Sequence, residues 1–255
     1  MNKFLWLAFF ALFLTLRGII YAQDSNPIVV SQVDWSLDGR QILVALQQGG
    51  LYTIDPYTQD ILLDLPPDVT GAISDAALQP SGILIATVDE RSTLNIWDSL
   101  NGMLVNSLTN ISAVWRVEWS PDGQYIFTSN ADEMFVRDAA GNPLFTIAYA
   151  AEDIPNVAFS PNGELLLLSF SAKIEVWNIA SRQMLARHIL GGLRQSVEWS
   201  RDGNTIMAAT VNNTREGTAH NVVVIDPLRG KSCVFTPVFL ISSHPPAGVL
   251  MKHRF

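Results

Sequence analysis

A motif of seven residues occurs five times in this chain of 255 residues, at intervals of about 40 residues. Each copy passes from a small or β-branched residue through a large apolar residue to a turn that ends in glycine, as in Val117-Glu118-Trp119-Ser120-Pro121-Asp122-Gly123. A regular period of this length indicates a repeat architecture, in which one unit stacks on the next. The final glycines, which are 43, 41, 40 and 40 residues apart, are Gly39, Gly82, Gly123, Gly163 and Gly203.

A second landmark follows each of these glycines and marks the other end of the repeating unit. It pairs an apolar residue or an arginine with Asp or Asn, 15 or 16 residues after the glycine in the first four copies and 23 residues after it in the fifth. Apolar runs lie between the two landmarks and again after the second one. The five pairs are Ile54-Asp55, Trp97-Asp98, Arg137-Asp138, Trp177-Asn178 and Ile225-Asp226.

Short apolar runs separated by turns predict an all-β fold. In Ser-Pro-Asp-Gly, proline presets the first turn position, aspartate accepts hydrogen bonds within its own turn, and glycine adopts the left-handed conformation that closes a hairpin. Four short antiparallel strands in about 40 residues are typical of one blade of a β-propeller. One blade cannot cover both of its apolar faces, so we expect neighbouring blades to cover them.

The paired landmarks resemble the WD-repeat (tryptophan–aspartate repeat) β-propeller family over residues 28–238, and they are most similar to its exported bacterial members. The resemblance implies a propeller of four-stranded blades. Two departures concern the hydrogen-bond network that the family buries in each blade: the chain has no Gly-His pair, and Arg91 and Ser171 stand where the family carries Asp, six residues before the tryptophan. We therefore expect this network to be incomplete and apolar packing to matter more.

Five repeats are visible, whereas the family usually has seven blades. Residues 239–255 carry no landmark, and no acidic residue follows Asp226. Two explanations remain open. A propeller truncated near residue 236 would leave an open arc about two blades short, and a true five-bladed ring would end in a tail. We favour the truncated propeller because the tail differs in composition from the rest of the chain.

The first 22 residues predict a secretory signal peptide. Lys3 precedes an apolar run over residues 4–16, and Ala22 precedes a polar stretch. Arg17 interrupts the run before it reaches the length of a membrane span, although an uncleaved anchor over residues 4–22 remains the alternative. We expect an exported, periplasmic or extracellular protein that contacts a membrane only if this segment stays attached. The single cysteine, Cys233, excludes an internal disulfide.

Charge and motifs exclude several function classes. The formal net charge of −8 argues against a nucleic-acid-binding protein, which would carry a basic stripe. No catalytic triad, no phosphate-binding glycine loop and no pair of His or Cys residues at metal-ligand spacing can be assembled. We therefore expect a non-enzymatic protein that needs no cofactor and serves as a scaffold for protein–protein contacts.

One face of the predicted propeller is expected to carry the connections between blades and the turns between the second and third strands of each blade. These segments hold nine acidic residues and three basic ones, which predicts a docking surface for a protein partner with a basic surface. The alternative is an ordinary solvated rim of an acidic protein. The residues that we place in the partner-binding surface are Trp115, Asp89, Glu90, Asp132, Glu133, Glu152 and Asp153.

Three further features leave alternatives open. Trp115 either stands at the mouth of the ring or packs between blades. Asp34, Glu118 and Glu198 share one repeat position, and their carboxylates would suit a propeller enzyme or a cation-binding module that uses channel carboxylates. A truncated propeller fragment without present function is the other alternative for the whole chain. An insertion of eight residues within residues 212–221 is expected to form a loop.

Overall fold

The computed structural model describes residues 28–109, 114, 116–150, 153, 155–190, 193–214, 217–230 and 232–235. These residues form five antiparallel sheets, each made of four strands that are consecutive in sequence. The first sheet contains β1 (Val30–Trp35), β2 (Ile42–Leu46), β3 (Leu51–Ile54) and β4 (Ile61–Leu65), and the second contains β5 (Ile73–Leu78), β6 (Leu84–Asp89), β7 (Leu94–Asp98) and β8 (Leu104–Leu108). One helical turn, α1 (Pro67–Thr70), joins them.

The remaining three sheets repeat the same order. The third sheet contains β9 (Arg116–Trp119), β10 (Tyr125–Ser129), β11 (Glu133–Asp138) and β12 (Pro143–Ala148). The fourth contains β13 (Asn156–Phe159), β14 (Leu165–Ser169), β15 (Lys173–Asn178) and β16 (Gln183–Ile189). The fifth contains β17 (Leu193–Trp199), β18 (Ile206–Thr214), β19 (Gly217–Ile225) and β20 (Ser232–Phe235). The predicted all-β architecture of four-stranded blades is therefore confirmed.

The repeated turn joins the first and second strands of each blade, and its serine organises it. In the third blade, Ser120 Oγ donates to Asp122 Oδ1 over 2.5 Å and accepts the N–H of Tyr125 over 2.9 Å. Gly123 closes the turn with a φ of 69°, in the left-handed region that favours glycine. The first, fourth and fifth blades repeat the serine contacts, which explains why this motif recurs with so little variation.

Apolar side chains fill the spaces between successive blades. Each buried cluster combines residues of one blade with residues of the next, as expected for units that cover one another's faces. Fully buried members include Leu43 between the first two blades, Ile96 between the second and third, Phe127 between the third and fourth, and Leu167 between the fourth and fifth.

Hydrogen bonds also join the first strands of neighbouring blades, which are the innermost strands of the propeller. Asp34 Oδ2 accepts the N–H of Leu78 in the second blade over 3.0 Å, and Asp75 Oδ2 accepts the N–H of Val117 in the third over 2.9 Å. Each carboxylate therefore satisfies a backbone donor of the following blade, one repeat further along the chain.

The hydrogen bond of the second landmark varies between blades. Trp97 Nε1 donates to Thr87 Oγ1 over 3.0 Å in the second blade. In the third blade, the buried Arg137 takes the same place: its Nε donates to Thr128 Oγ1 and its Nη1 to the carbonyl oxygen of Gly141, both over 3.1 Å. Burial lowers the pKa of Arg137.

Two larger features of the fold concern its ends. Within the part of the chain that the structure describes, the five sheets do not close into a ring, which is consistent with the open or truncated propeller. The insertion in the fifth repeat is not a loop, contrary to the sequence expectation. Its residues extend β18 and β19, which pair as far as Thr214 and Gly217, because main-chain hydrogen bonds continue the hairpin outward.

The segments predicted at the two chain ends lie outside the described residues. These are the signal peptide or anchor over residues 1–22 and the tail over residues 239–255. In the described ranges, no helix is long and apolar enough to cross a bilayer.

Candidate functional site

The connections between blades and the turns between second and third strands lie at the same end of each antiparallel sheet, which we call the loop face. In the third blade these two kinds of segment are bonded to each other through Tyr149. Its N–H donates to the carbonyl oxygen of Asp132 over 2.8 Å, and its hydroxyl donates to the carbonyl oxygens of Glu133, over 3.2 Å, and Asn130. Tyr149 thus fixes the connection that leads to the fourth blade.

Three of the predicted acidic residues surround this tyrosine, and we call the four residues Asp132, Glu133, Tyr149 and Asp153 the Tyr149 cluster. Asp132 is exposed, whereas Glu133, Tyr149 and Asp153 are half-buried. Burial of the phenol raises the pKa of Tyr149, and the negative charges of Asp132 and Glu133 raise it further. Asp132 and Glu133 therefore place negative charge beside the phenol.

Asp153 also anchors the start of the next hairpin. Its Oδ1 accepts the N–H of Ser171 over 2.7 Å and the Ser171 hydroxyl over 2.6 Å. Ser171 occupies the turn between β14 and β15, so this contact joins the connection after the third blade to the fourth blade. The loop face is consequently held by hydrogen bonds across the boundary between the two blades.

Asp89 and Glu90 lie one blade earlier, in the turn between β6 and β7. Asp89 Oδ1 accepts the N–H groups of Arg91, over 2.9 Å, and Thr93, over 2.7 Å, so its carboxylate shapes the turn. Glu90 is exposed. The two acids therefore extend the loop face along the second blade and are not members of the Tyr149 cluster. Trp115 and Glu152 lie outside the described residues, and their place in the surface stays a prediction.

The carboxylates at the shared repeat position have different surroundings. Asp34 serves the contact between blades described above, and Glu198 lies opposite Met207 in the fifth blade. Desolvation raises the pKa of the half-buried Glu118 to about 7; the positive charge of Arg116 opposes this increase, and the negative charges of Asp34 and Asp75 add to it. Among the described residues, no group of three or more His, Cys, Asp or Glu side chains could hold a metal ion.

A second polar feature adjoins the Tyr149 cluster and is not predicted from the sequence. A cavity of about 330 Å³ opens between the third and fourth blades, and its lining includes Tyr149, Asp153, Lys173, Glu175 and Arg187. The available sequence signal is Glu175-Val176-Trp177, because the fourth repeat is the one that places a carboxylate two residues before its landmark tryptophan. Its partners lie on two different strands, so their meeting depends on strand register.

A family model gives independent support for the repeat. The model described as WD domain, G-beta repeat, matches residues 102–135. This span contains β8, β9, β10 and the first residues of β11. The sequence repeat thus begins with the outer strand of one blade and continues into the three inner strands of the next.

Curated relatives match about half of the chain. Eukaryotic translation initiation factor 3 subunit I of Aspergillus oryzae is 26% identical over 126 residues, which are 49% of this chain and 36% of that protein. The same subunit of Emericella nidulans is 27% identical over 126 residues, with the same coverage. The chain therefore spans 36% of the length of these relatives.

Solved structures share the fold over most of this chain. KlHsv2 with loop 6CD replaced by a Gly-Ser linker has a TM-score of 0.63 at 14% identity. The match covers 82% of this chain and 67% of the KlHsv2 chain. Kuenenia stuttgartiensis Hydrazine Synthase has a TM-score of 0.62 at 17% identity, covering 86% and 70%. A chain of the Mitotic Checkpoint Complex has a TM-score of 0.62 at 19% identity, covering 85% and 66%. These likenesses establish that the five sheets are propeller blades.

Proposed function

We propose that this chain, which is a WD-repeat β-propeller protein, is a non-enzymatic scaffold that binds a protein partner with a basic surface through its loop face. The observation that carries the proposal is the Tyr149 cluster, where Asp132 and Glu133 place negative charge beside a half-buried aromatic side chain and Asp153 lines the same cavity. Aromatic residues anchor protein interfaces, and surrounding charges select the partner.

The hydrogen bonds of the cluster support a binding role. Tyr149 is bonded to the β10–β11 turn, and Asp153 is bonded to the β14–β15 turn, so these two residues are tied to both blades. Side chains held in this way lose little conformational entropy on binding. The acids at the second-blade turn would lengthen the same negative surface, and Trp115 and Glu152 are proposed to complete it.

The cellular setting is a separate part of the proposal. The composition of residues 1–22 supports export, with the partner met in the periplasm or outside the cell. Detection of the mature chain beginning at residue 23 in an exported fraction would support this setting. Recovery of the chain with residues 1–22 attached, in a membrane fraction, would support the anchor.

The interaction proposal is tested by reversing charge on one end of the sheets at a time. Asp132→Lys combined with Glu133→Lys and Trp115→Ala is expected to weaken capture of the partner without unfolding the protein. The matched control reverses the same number of charges at the opposite end, with Asp60→Lys and Glu164→Lys, which are both exposed. Equal loss of capture in the two variants would point to net charge alone, and unchanged capture in the loop-face variant would refute the assignment.

A further inference from the structure

The cavity between the third and fourth blades arises where the repeat changes its hydrogen bonding. In the second blade, Trp97 bonds the hydroxyl of Thr87, but Leu168 occupies the equivalent position of the fourth blade. Trp177 therefore has no hydroxyl there, and its Nε1 donates instead to Glu175 Oε2 over 3.3 Å. In the fourth blade the landmark tryptophan is therefore bonded to a carboxylate of its own strand.

Glu175 is held at the base of the cavity by two cations. Its side chain is 5% exposed, and its Oε1 accepts from Lys173 Nζ over 2.9 Å, from Arg187 Nε over 3.1 Å and from Arg187 Nη2 over 3.0 Å. Burial alone would raise the pKa of Glu175, but the bonds and charge of Lys173, together with Trp177 and Arg187, outweigh it and hold the pKa below its ordinary value. The carboxylate is therefore ionised at neutral pH, and both of its oxygens accept hydrogen bonds.

The two cations, in contrast, keep unused hydrogen-bond donors. An ammonium group has three N–H donors and a guanidinium group has five, and the contacts with Glu175 use one and two of them. The side chains of Lys173 and Arg187 are 34% and 50% exposed and line the cavity. Around Glu175 the two positive charges therefore exceed the one negative charge, and both cations retain donors that can bind an oxygen of a ligand.

Three aromatic side chains contribute to the lining of the cavity. Phe170, Tyr149 and Trp177 line it together with Ile147, and Lys173 Nζ lies 4.2 Å from the centre of the Phe170 ring. Aromatic walls with a few placed polar groups are the usual composition of a small-ligand pocket, and a volume of about 330 Å³ falls at the lower end of the range for such pockets. This volume suits one amino-acid side chain better than a larger molecule.

The rim restricts the charge of what can enter. Asp153 also lines the cavity, and Asp132 and Glu133 add negative charge beside Tyr149. A ligand with several negative charges would be repelled there, whereas a single carboxylate that passes the rim reaches Lys173 and Arg187. An apolar or aromatic group beside that carboxylate would contact Phe170 and Trp177.

From these contacts we propose that the cavity is a peptide-binding pocket for one carboxylate that adjoins an aromatic or apolar side chain. Lys173 and Arg187 bind the carboxylate by charge-assisted hydrogen bonds, and the three aromatic rings contact the neighbouring side chain. The site adjoins the proposed loop-face surface and shares Tyr149 and Asp153 with it, but it selects a negative group and lies between the blades.

The test compares three peptide analogues that share one aromatic ring. N-acetylphenylalanine carries a terminal carboxylate, its amide is the neutral counterpart, and phenylalaninamide carries a positive charge. We expect saturable binding of N-acetylphenylalanine by titration calorimetry, with affinity about tenfold above that of the amide and little binding of phenylalaninamide. A fourth compound, N-acetyl-aspartyl-phenylalaninamide, carries its carboxylate on a side chain. If it binds more tightly than N-acetylphenylalanine, the pocket prefers a side-chain carboxylate, and if it binds less tightly, the pocket prefers a terminal one.

Variants assign the binding to this cavity. Arg187→Gln is expected to weaken N-acetylphenylalanine binding about tenfold, and Arg187→Lys is expected to retain most of it. Arg40→Gln, on an exposed arginine of the first blade, is the matched control and should change the affinity less than about twofold. Ala148→Phe adds a ring at an exposed lining position, keeps every charged group and should abolish binding.

Several results would overturn the proposal. One such result is that neither carboxylate compound binds at its highest soluble concentration. Another is that the neutral amide binds as tightly as N-acetylphenylalanine, or that phenylalaninamide binds more tightly than it does. Full retention of affinity in a folded Ala148→Phe protein would place the binding elsewhere. If Arg187→Gln did not fold, the Ala148→Phe and Arg187→Lys proteins would still decide the question, because neither removes a charge.

Discussion

The indole N–H of Trp119 donates a hydrogen bond to the carbonyl oxygen of Ala77 across the boundary between the second and third blades, over 3.1 Å. Trp199 repeats this contact with Ala158 of the fourth blade over 3.2 Å. The equivalent residue of the first blade, Trp35, is 49% exposed. One aromatic position of the repeat therefore packs against the preceding blade in two copies and remains accessible to solvent in the first.

Replacing Trp119 by phenylalanine tests the energetic value of this contact. Trp119→Phe keeps a large ring but leaves the buried carbonyl of Ala77 without its donor, so we expect a loss of about 1–3 kcal/mol in the free energy of unfolding. Trp35→Phe is the matched control and should cost less than about 0.5 kcal/mol, because the ring is half in water. Urea unfolding measures both. Equal losses in the two variants would show that the hydrogen bond to Ala77 contributes no net stability.

Glu118 gives a stability change that depends on pH. Its pKa of about 7 in the folded protein lies above the ordinary value of 4.5, so the unfolded chain ionises first and wild-type stability falls as pH rises between these values. Glu118→Gln removes this penalty and should be more stable than wild type by about 2–3 kcal/mol at pH 8, with the advantage vanishing below about pH 4. Glu90→Gln, at an exposed acid of the loop face, serves as the control. An advantage of Glu118→Gln that is the same at all pH values would contradict the shifted pKa.

Glu175 has the opposite pH dependence. Its pKa is lower in the folded protein than in the unfolded chain. The carboxylate therefore stabilises the fold fully at pH values above the unfolded-state pKa, and this stabilisation is lost as the pH falls through the folded-state pKa. Glu175→Gln should cost about 1–3 kcal/mol at pH 7, and the difference from wild type should shrink in acid. A double-mutant cycle with Lys173→Gln measures the coupling directly. Strictly additive losses would mean that the 2.9 Å contact between the two side chains contributes no net stability.

Arg137 tests whether the landmark position prefers an uncharged ring. The guanidinium is buried and bonded to Thr128 and Gly141, whereas the second blade places Trp97 on Thr87 at the equivalent position. Arg137→Trp should keep a donor for Thr128 while removing a buried charge, and we expect a gain of about 1–2 kcal/mol. Arg137→Ala, which leaves a cavity and an unpaired carbonyl, should be less stable than wild type. Thermal unfolding of both variants provides the comparison, and a loss in Arg137→Trp would show that the arginine is preferred at this site.

Sequence reasoning predicts the blades because each one depends on local chemistry. The turn at Ser120 and Gly123 forms from residues within one short segment, and the same pattern recurs with the same period. The acids of the Tyr149 cluster are predicted as members of a loop face, although not as neighbours of a tyrosine. Tyr149 itself is missed because its importance depends on bonds to main-chain oxygens of another segment.

The cavity and the fifth-blade hairpin show where pattern reasoning fails. Lys173 and Arg187 meet at Glu175 only because β15 and β16 pair in one particular register, with Glu175 opposite Arg187. A one-residue change in that register would place the arginine on the other face of the sheet. Residues 212–221 contain several polar residues and glycine, which favour a loop, but continued pairing of the main chains forms strands there instead.

The side-chain bonds between innermost strands span very similar lengths of chain: 44 residues from Asp34 to Leu78, 42 from Asp75 to Val117, 42 from Trp119 to Ala77 and 41 from Trp199 to Ala158. None of these contacts requires a segment that is synthesised much later than its neighbour. A nascent chain can therefore assemble its sheets in order of translation, each new sheet adding to one already formed, without long-range searching.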